Sequence, residues 1–263
     1  MTRDELRRAG EQLREQLGHA ASTPGALGSD ASAPGFAQMI SEAVYGGVWS
    51  RPGLALNERM ICTLAVAGLR APSPQLAALI AAALELGLAP RTILEVFVHC
   101  GLYGGFGSSE QACAQAREVF SRRGVTVPEE APRDASLQAL EQSGHRVMHM
   151  LHGARAGDGY AAPGNAVTGA LYAVAIRYGY GELWSRPGLD HRQRLLCALA
   201  AFTALGLQTQ LVKFAQAAMD NGFSLAQVIE AVIQTAPYAG FPFALNALGA
   251  IAGAMERPRP EGE

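Results

Sequence analysis

The chain has 263 residues and no apolar run long enough to cross a membrane: charges, Gly or Pro interrupt every candidate short of the ~18 residues needed. It has no excess of charge of either sign. Lys and Arg total 21 against 23 Asp and Glu, a net charge of -2, so nothing electrostatic argues for a nucleic acid or an anionic membrane as partner. Charged residues make up only 17% and hydrophobic residues 49%, which excludes a disordered chain. Cysteine is scarce. Cys62, Cys100, Cys113 and Cys197 form no C-x-x-C pair and are expected to be free thiols in a reducing compartment. The first twenty residues, MTRDELRRAGEQLREQLGHA, are charged and helical in period and lack the apolar centre of a signal peptide, so a cytoplasmic location is expected.

Several chemical signatures are missing as well. No glycine-rich phosphate loop joins a strand to a helix, and no G-x-S-x-G elbow occurs. No segment shows sustained strand alternation. Nothing implies a flavin, haem or nicotinamide, and neither a cofactor nor a metal is expected. His145, His149 and His152 share one helical face at a spacing that can bind zinc, but no Cys or carboxylate completes a shell.

What the sequence does contain is a repeat. Residues 45–54 read YGGVWSRPGL and residues 180–189 read YGELWSRPGL, an offset of 135. The offset holds without a gap through Arg59 and Arg194, Cys62 and Cys197, Gln75 and Gln210, Glu95 and Glu230, and Tyr103 and Tyr238. Over the 66 columns from residue 42 to 107 there are 21 identities. The chain is therefore two copies of one module, residues 1–125 and 134–257, joined by a polar, Pro-containing linker at Thr126–Arg133. Extending the offset to the first helix matches Gly10, Arg14 and Leu17 with the three histidines. A second irregular stretch, Ala154–Asn165, corresponds to Ser22–Pro34.

Each copy reads as helices. In the first they are predicted over Asp4–Leu17, Phe36–Val48, Asn57–Leu69, Pro74–Leu86, Pro90–Leu102 and Ser109–Arg122. Pro52 and Gly53 break the chain in the SRPGL turn, Gly87 stops a helix, and Pro90 suits a first turn. The expected fold is all-α, two homologous helical bundles in one chain.

The order of features is an acid, a Gly-Trp turn carrying W-S-R-P-G-L, R-x-x-x-x-x-A, a Gly-ended helix, and E-V-x-x-x-x-x-x-Y-x-G-F, with PYAGFPFALNAL (Pro237 to Leu248) especially close. This resembles the carboxymuconolactone decarboxylase family, which includes the AhpD-type alkylhydroperoxidases. The resemblance covers residues 36–122 and 171–255. AhpD-type members carry C-x-x-C followed by His before the Gly-ended helix, because one thiol attacks peroxide and the other resolves the sulfenic acid. Leu69–Leu79 and Leu205–Phe214 hold no Cys, which argues against a dithiol peroxidase. The decarboxylase branch usually has a His eight residues before the helix-ending Gly and a Cys after the motif Tyr. Here Leu79 and Phe214 occupy the first position, and Gly104 and Ala239 the second.

The polar groups that remain differ between the copies. Glu42 matches the family acid, and Arg177 replaces it in the second copy. His99 stands where Gln234 stands in the second, and Tyr45 and Tyr180 replace a Trp. Arg51 and Arg186 are expected to tie the SRPGL turn to an acid or carbonyl. The reading is a cofactor-independent lyase or isomerase acting by decarboxylation, lactone opening or ring rearrangement. Its substrate is a small organic acid, lactone or polyketide-like ring, and secondary metabolism is one setting. Glu42 and His99 are the expected acid–base pair. Tyr45, Tyr103, Arg177, Tyr180, Gln234 and Tyr238 are the expected substrate-binding groups. The resemblance implies six modules per assembly, hence a homotrimer. A non-catalytic binding or scaffold protein is the alternative, and a peroxidase using a lone Cys100 or Cys62 is a weaker one.

Overall fold

The computed structural model describes residues 2–18, 25–29, 33–128, 134–158, 162 and 164–256. Among them there is no strand, and no helix is long and apolar enough to cross a membrane. The first copy contains α1 (Arg3–Gln16), a short α2 (Phe36–Ile40) running into the π-helical segment π1 (Ser41–Trp49), α3 (Leu56–Ala67), α4 (Pro74–Glu85), α5 (Pro90–Gly104) and α6 (Phe106–Arg122). The second repeats this order: α7 (Leu137–His152), α8 (Gly169–Val174) running into π2 (Ala175–Glu182), α9 (His191–Leu205), α10 (Gln208–Asp220), α11 (Leu225–Ala239) and α12 (Phe241–Met255). Thr2, Ser73, Ser136, Asp190 and Ser224 start their helices by accepting a first-turn N–H. The predicted linker and the two irregular stretches fall partly outside the described residues.

The two copies do not have separate cores. α3 and α9 pack against each other, α11 crosses both, and α5 packs on α9. Residues Met60–Val66 and Leu195–Thr203 are buried throughout, as expected for helices enclosed on every side. One hydrophobic cluster runs through both copies. Cys62 and Cys197 sit in this interlock and fill it as small apolar groups.

The conserved geometry of the repeat is a reciprocal clasp. Arg51, after π1, donates to Glu230 on α11 through Nε (3.0 Å) and Nη2 (2.7 Å). Arg186, after π2, donates to Glu95 on α5 through Nε (2.9 Å) and Nη2 (2.8 Å). The turn glycines make room for the clasp. Gly53 has φ +104, and a Cβ there would lie 3.1 Å from Glu230 Cγ; Gly188 has φ +98 and would meet Glu95 Cγ at 2.9 Å. So the acid that each SRPGL turn was expected to bind comes from the other copy.

The opening helices need a correction to the register. A Cβ on Gly10 would lie 2.2 Å from the Ser41 carbonyl, and one on Gly144 would lie 2.1 Å from that of Ile176. Gly46 meets the Leu6 carbonyl as Gly181 meets that of Leu140. Ser41 and Ile176 differ by 135, but Gly10 and Gly144 differ by 134, so one residue separates the registers before and after the irregular stretch. His145, His149 and His152 therefore match Glu11, Glu15 and Gly18. His145 and His149 are exposed, while His152 turns inward onto the Phe214 ring, with centroids 5.2 Å apart.

Candidate functional site

π1 determines where the first copy's aromatic groups point. The expected single helix over Phe36–Val48 instead changes to π winding at Ser41, with Ser50 N donating to the Tyr45 carbonyl five residues back. π segments are rare and recur at functional sites. The winding leaves Glu42, Tyr45 and Trp49 all buried. Tyr45 and Trp49 face a small pocket that is partly open to solvent. Its other walls are Leu17 from α1, Ala26 and Leu27, Met60 from α3, Gln75, Ala78, Leu79 and Ala82 from α4, and Tyr238 from α11. Tyr238 belongs to the second copy, so the pocket is completed across the pseudo-two-fold. None of the described lining residues carries a charge.

Three polar side chains line the pocket. Tyr45 donates its hydroxyl to the Leu27 carbonyl (3.2 Å) and carries the Arg14 guanidinium 5.3 Å from its ring centroid. Burial pushes its phenol up, against the pull of Arg14. Gln75 contributes a carboxamide from the first turn of α4. Tyr238 accepts a hydrogen bond from Trp49 Nε1 at 2.9 Å. Burial pushes the Tyr238 phenol well above its ordinary value, so at neutral pH it carries its proton. Pro237 lies one residue before it, inside α11, where the missing N–H interrupts the helix ladder.

Behind Tyr238 runs a buried polar network. Arg59, 1% exposed, donates to Gln234 Oε1 (3.1 Å), Glu230 Oε2 (2.9 Å) and the Arg51 carbonyl (2.7 Å). Gln234 Nε2 then donates to Thr63 Oγ1 (3.1 Å). In the second copy's counterpart, Arg194 reaches His99 Nδ1 (3.2 Å), and His99 Nε2 lies 3.2 Å from the Tyr103 hydroxyl. Arginine can only donate, so Nδ1 is the acceptor and the ring proton sits on Nε2, directed at Tyr103. His99 thus does what Gln234 does: it accepts from an arginine and donates to a hydroxyl. Ala198 stands where Thr63 stands, so the hydroxyl His99 reaches is that of Tyr103. Burial, and then the Arg194 charge, push the imidazole well below its ordinary range and keep it neutral.

The expected acid–base pair falls into two separate networks. Glu42 accepts from Arg3 Nε (2.8 Å) and Gln38 Nε2 (2.9 Å), bonds that hold its carboxyl low and tie α1 to π1. His99 is fully buried among Arg194, Tyr103 and Trp184. The two share no partner, and neither lines the pocket. Arg177 is also outside it, paired with Glu141 (2.8 Å) on the surface of α7. Tyr180 stacks on Trp184 with centroids 6.3 Å apart. Of the expected binding groups, Tyr45 and Tyr238 reach the pocket wall and Gln234 stands behind it. The hydrogen bond from Trp49 and the pocket-facing position of Gln75 escaped the sequence reading; the recurrence of both residues in the two copies was the available signal. The thiols are poorly suited to redox chemistry. Cys62 and Cys100 are buried, and burial pushes Cys62 far up and Cys113 to about 11.

An all-α pseudo-dimer with a pocket walled by both copies defines the class of protein. The carboxymuconolactone decarboxylase family model matches residues 34–118 and again 169–252. The chain belongs to that family, as a tandem duplication of its module. It is 34% identical over 99 residues to a 4-carboxymuconolactone decarboxylase of Acinetobacter baylyi, covering 38% of this chain and 73% of that protein. It is 32% identical over 75 residues to a nitrosuccinic acid decarboxylase of Metarhizium robertsii, covering 28% of this chain and 52% of that protein, about half its length.

Proposed function

We propose that the chain is a cofactor-independent decarboxylase of a small organic acid, working in the first copy's pocket with Tyr238 as proton donor. The observation that carries this reading is the Tyr238 phenol at the pocket wall, with its proton retained by burial and its oxygen facing the Trp49 N–H. Loss of CO2 breaks the bond to the carboxylate carbon and leaves its electron pair on the substrate. An adjacent electron-accepting group, such as a carbonyl or nitro group, takes up that pair as an enolate- or nitronate-type anion. Tyr238 Oη–H then protonates the anion, the Trp49 N–H stabilises the resulting phenolate, and water returns the proton to Tyr238.

The character of the pocket favours this step. A lining arginine or lysine would stabilise the substrate carboxylate more than the transition state, in which its charge is dispersed. An uncharged, largely apolar wall does the opposite. Lactone opening or isomerisation calls for a paired acid and base, and the residues expected to supply it, Glu42 and His99, have separate partners. Decarboxylation needs one proton donor. The names of the two relatives point the same way. The test is CO2 release from nitrosuccinate, 4-carboxymuconolactone and a panel of β-keto acids. Turnover on at least one is expected; no CO2 from any acid that the pocket binds would support the binding-protein alternative instead.

The homotrimer implied by the family resemblance is supported by exposed apolar residues. Val167, just before α8, and Leu171, Val174 and Tyr178 on α8 and π2 are exposed, and Phe36 and Met39 on α2 hold the positions matching Leu171 and Val174. Phe106, Phe241, Phe243 and Leu245 add further exposed apolar surface around the starts of α6 and α12. A solution mass of about 83 kDa, three times 27.6 kDa, is expected by light scattering; a 27.6 kDa particle contradicts it.

A further inference from the structure

We infer that, of the two equivalent places among the described residues, only the one in the first copy takes a ligand, and that Phe202 and Phe214 have turned its counterpart in the second copy into packed core. The inference rests on side-chain packing and holds whatever reaction the first pocket performs. The 135-residue offset relates the two locations: Tyr45, Trp49, Leu79 and Tyr238 in the first correspond to Tyr180, Trp184, Phe214 and Tyr103 in the second. In the first, Leu79 stands across an opening from Trp49 and Tyr238. In the second, the Phe214 ring spans the equivalent gap, with centroids 6.1 Å from Trp184 and 6.4 Å from Tyr103.

Phe202 replaces Ala67 and fills in behind it. Its ring lies 4.6 Å from Tyr103 and 5.0 Å from Phe214, and both phenylalanines are buried. Ala to Phe adds six carbons and Leu to Phe adds three, together about the bulk of a small organic acid. Aromatic pairs at these separations are favourable beyond the area they bury, so the filled site gains in stability what it loses in access.

The polar groups changed in step. Tyr238 accepts from Trp49 and faces the pocket, whereas the Tyr103 hydroxyl is engaged from inside the core by His99 Nε2–H. Behind the open pocket Thr63 is hydrogen-bonded to both Gln234 and Tyr238; in the other copy Ala198 offers no hydroxyl, and His99 is bonded to Tyr103 directly. Position 79, with its counterpart 214, therefore sets whether a copy can take a ligand.

Xenon under pressure is the probe, since it enters small apolar cavities regardless of chemistry. Crystals of the wild-type protein are expected to show xenon between Tyr45, Leu79 and Tyr238 and none at the Phe214 cluster. Leu79→Phe should abolish the first site. Phe202→Ala with Phe214→Leu should create a second, in a protein whose folding is checked by its melting transition. Xenon at Phe214 in the wild type, no xenon at either location, or xenon retained in Leu79→Phe overturns the inference. The wild-type crystals decide the question even if a variant fails to fold, and no outcome depends on CO2 release.

Discussion

His99 shows how one residue can suggest catalysis and serve structure. A lone histidine opposite a glutamine in a repeat reads as gained chemistry, since imidazole is the side chain that titrates near neutrality. The structure makes it a substitute carboxamide: Nδ1 accepts from Arg194 and Nε2 donates to Tyr103. The sequence could not show this, because the decisive partner is Ala198, whose missing hydroxyl lies a whole module away from His99. His99→Gln should therefore keep the fold. His99→Ala leaves the buried Arg194 without that acceptor and should cost about 2–4 kcal/mol in denaturant unfolding. Acid should act through the same residue. His99 and His152 both have folded-state values below the ordinary 6.5, His152 at about 4, so below pH ~6.5 the unfolded chain binds protons that the folded chain refuses. Stability is thus complete above pH ~6.5 and falls as pH drops below it, by roughly 1 kcal/mol per pH unit from His99 alone. Melting temperatures from pH 7.5 to 5 check the sign.

At the scale of elements, the helices are nearly all where apolar period, capping residues and prolines put them, and α4, opened by Ser73 and Pro74, was fully legible. π1 was not. Local pattern cannot distinguish α from π winding, because the difference is one residue per turn and is fixed by contact with α1. The contact depends on two glycines. Gly10 lets α1 approach the Ser41 carbonyl, and Gly46 lets π1 approach that of Leu6. Gly46→Ala places a Cβ 2.0 Å from that carbonyl, which only a backbone shift can relieve. A loss of at least about 2–3 kcal/mol is expected by chemical denaturation. Turnover should fall as well, because Tyr45 and Trp49 flank this crossing. The neighbouring Gly47→Ala, whose nearest contact would be 3.4 Å away, is the control and should be mild.

At the scale of the whole molecule, the repeat was the most legible feature and its consequence the least. The offset identified two copies; it could not reveal that α3, α5, α9 and α11 interlock them or that each copy clasps the other. The two homologous helical bundles expected are there, and one continuous core runs through both. Unfolding should accordingly be one cooperative transition rather than two. Glu230→Gln removes the shared counter-charge of Arg51 and the buried Arg59 and should lower stability by about 3 kcal/mol without splitting that transition. A two-step melt would contradict the interlock. The same interlock delivers Tyr238 from the second copy to a pocket in the first, and that delivery is the centre of the proposed chemistry. The most direct measurement is kcat for CO2 release by Tyr238→Phe on whichever acid the wild type decarboxylates, with the melting temperature measured alongside. A fall of about 100-fold or more, with KM and fold little changed, is predicted. Wild-type kcat in a folded Tyr238→Phe protein would contradict the account.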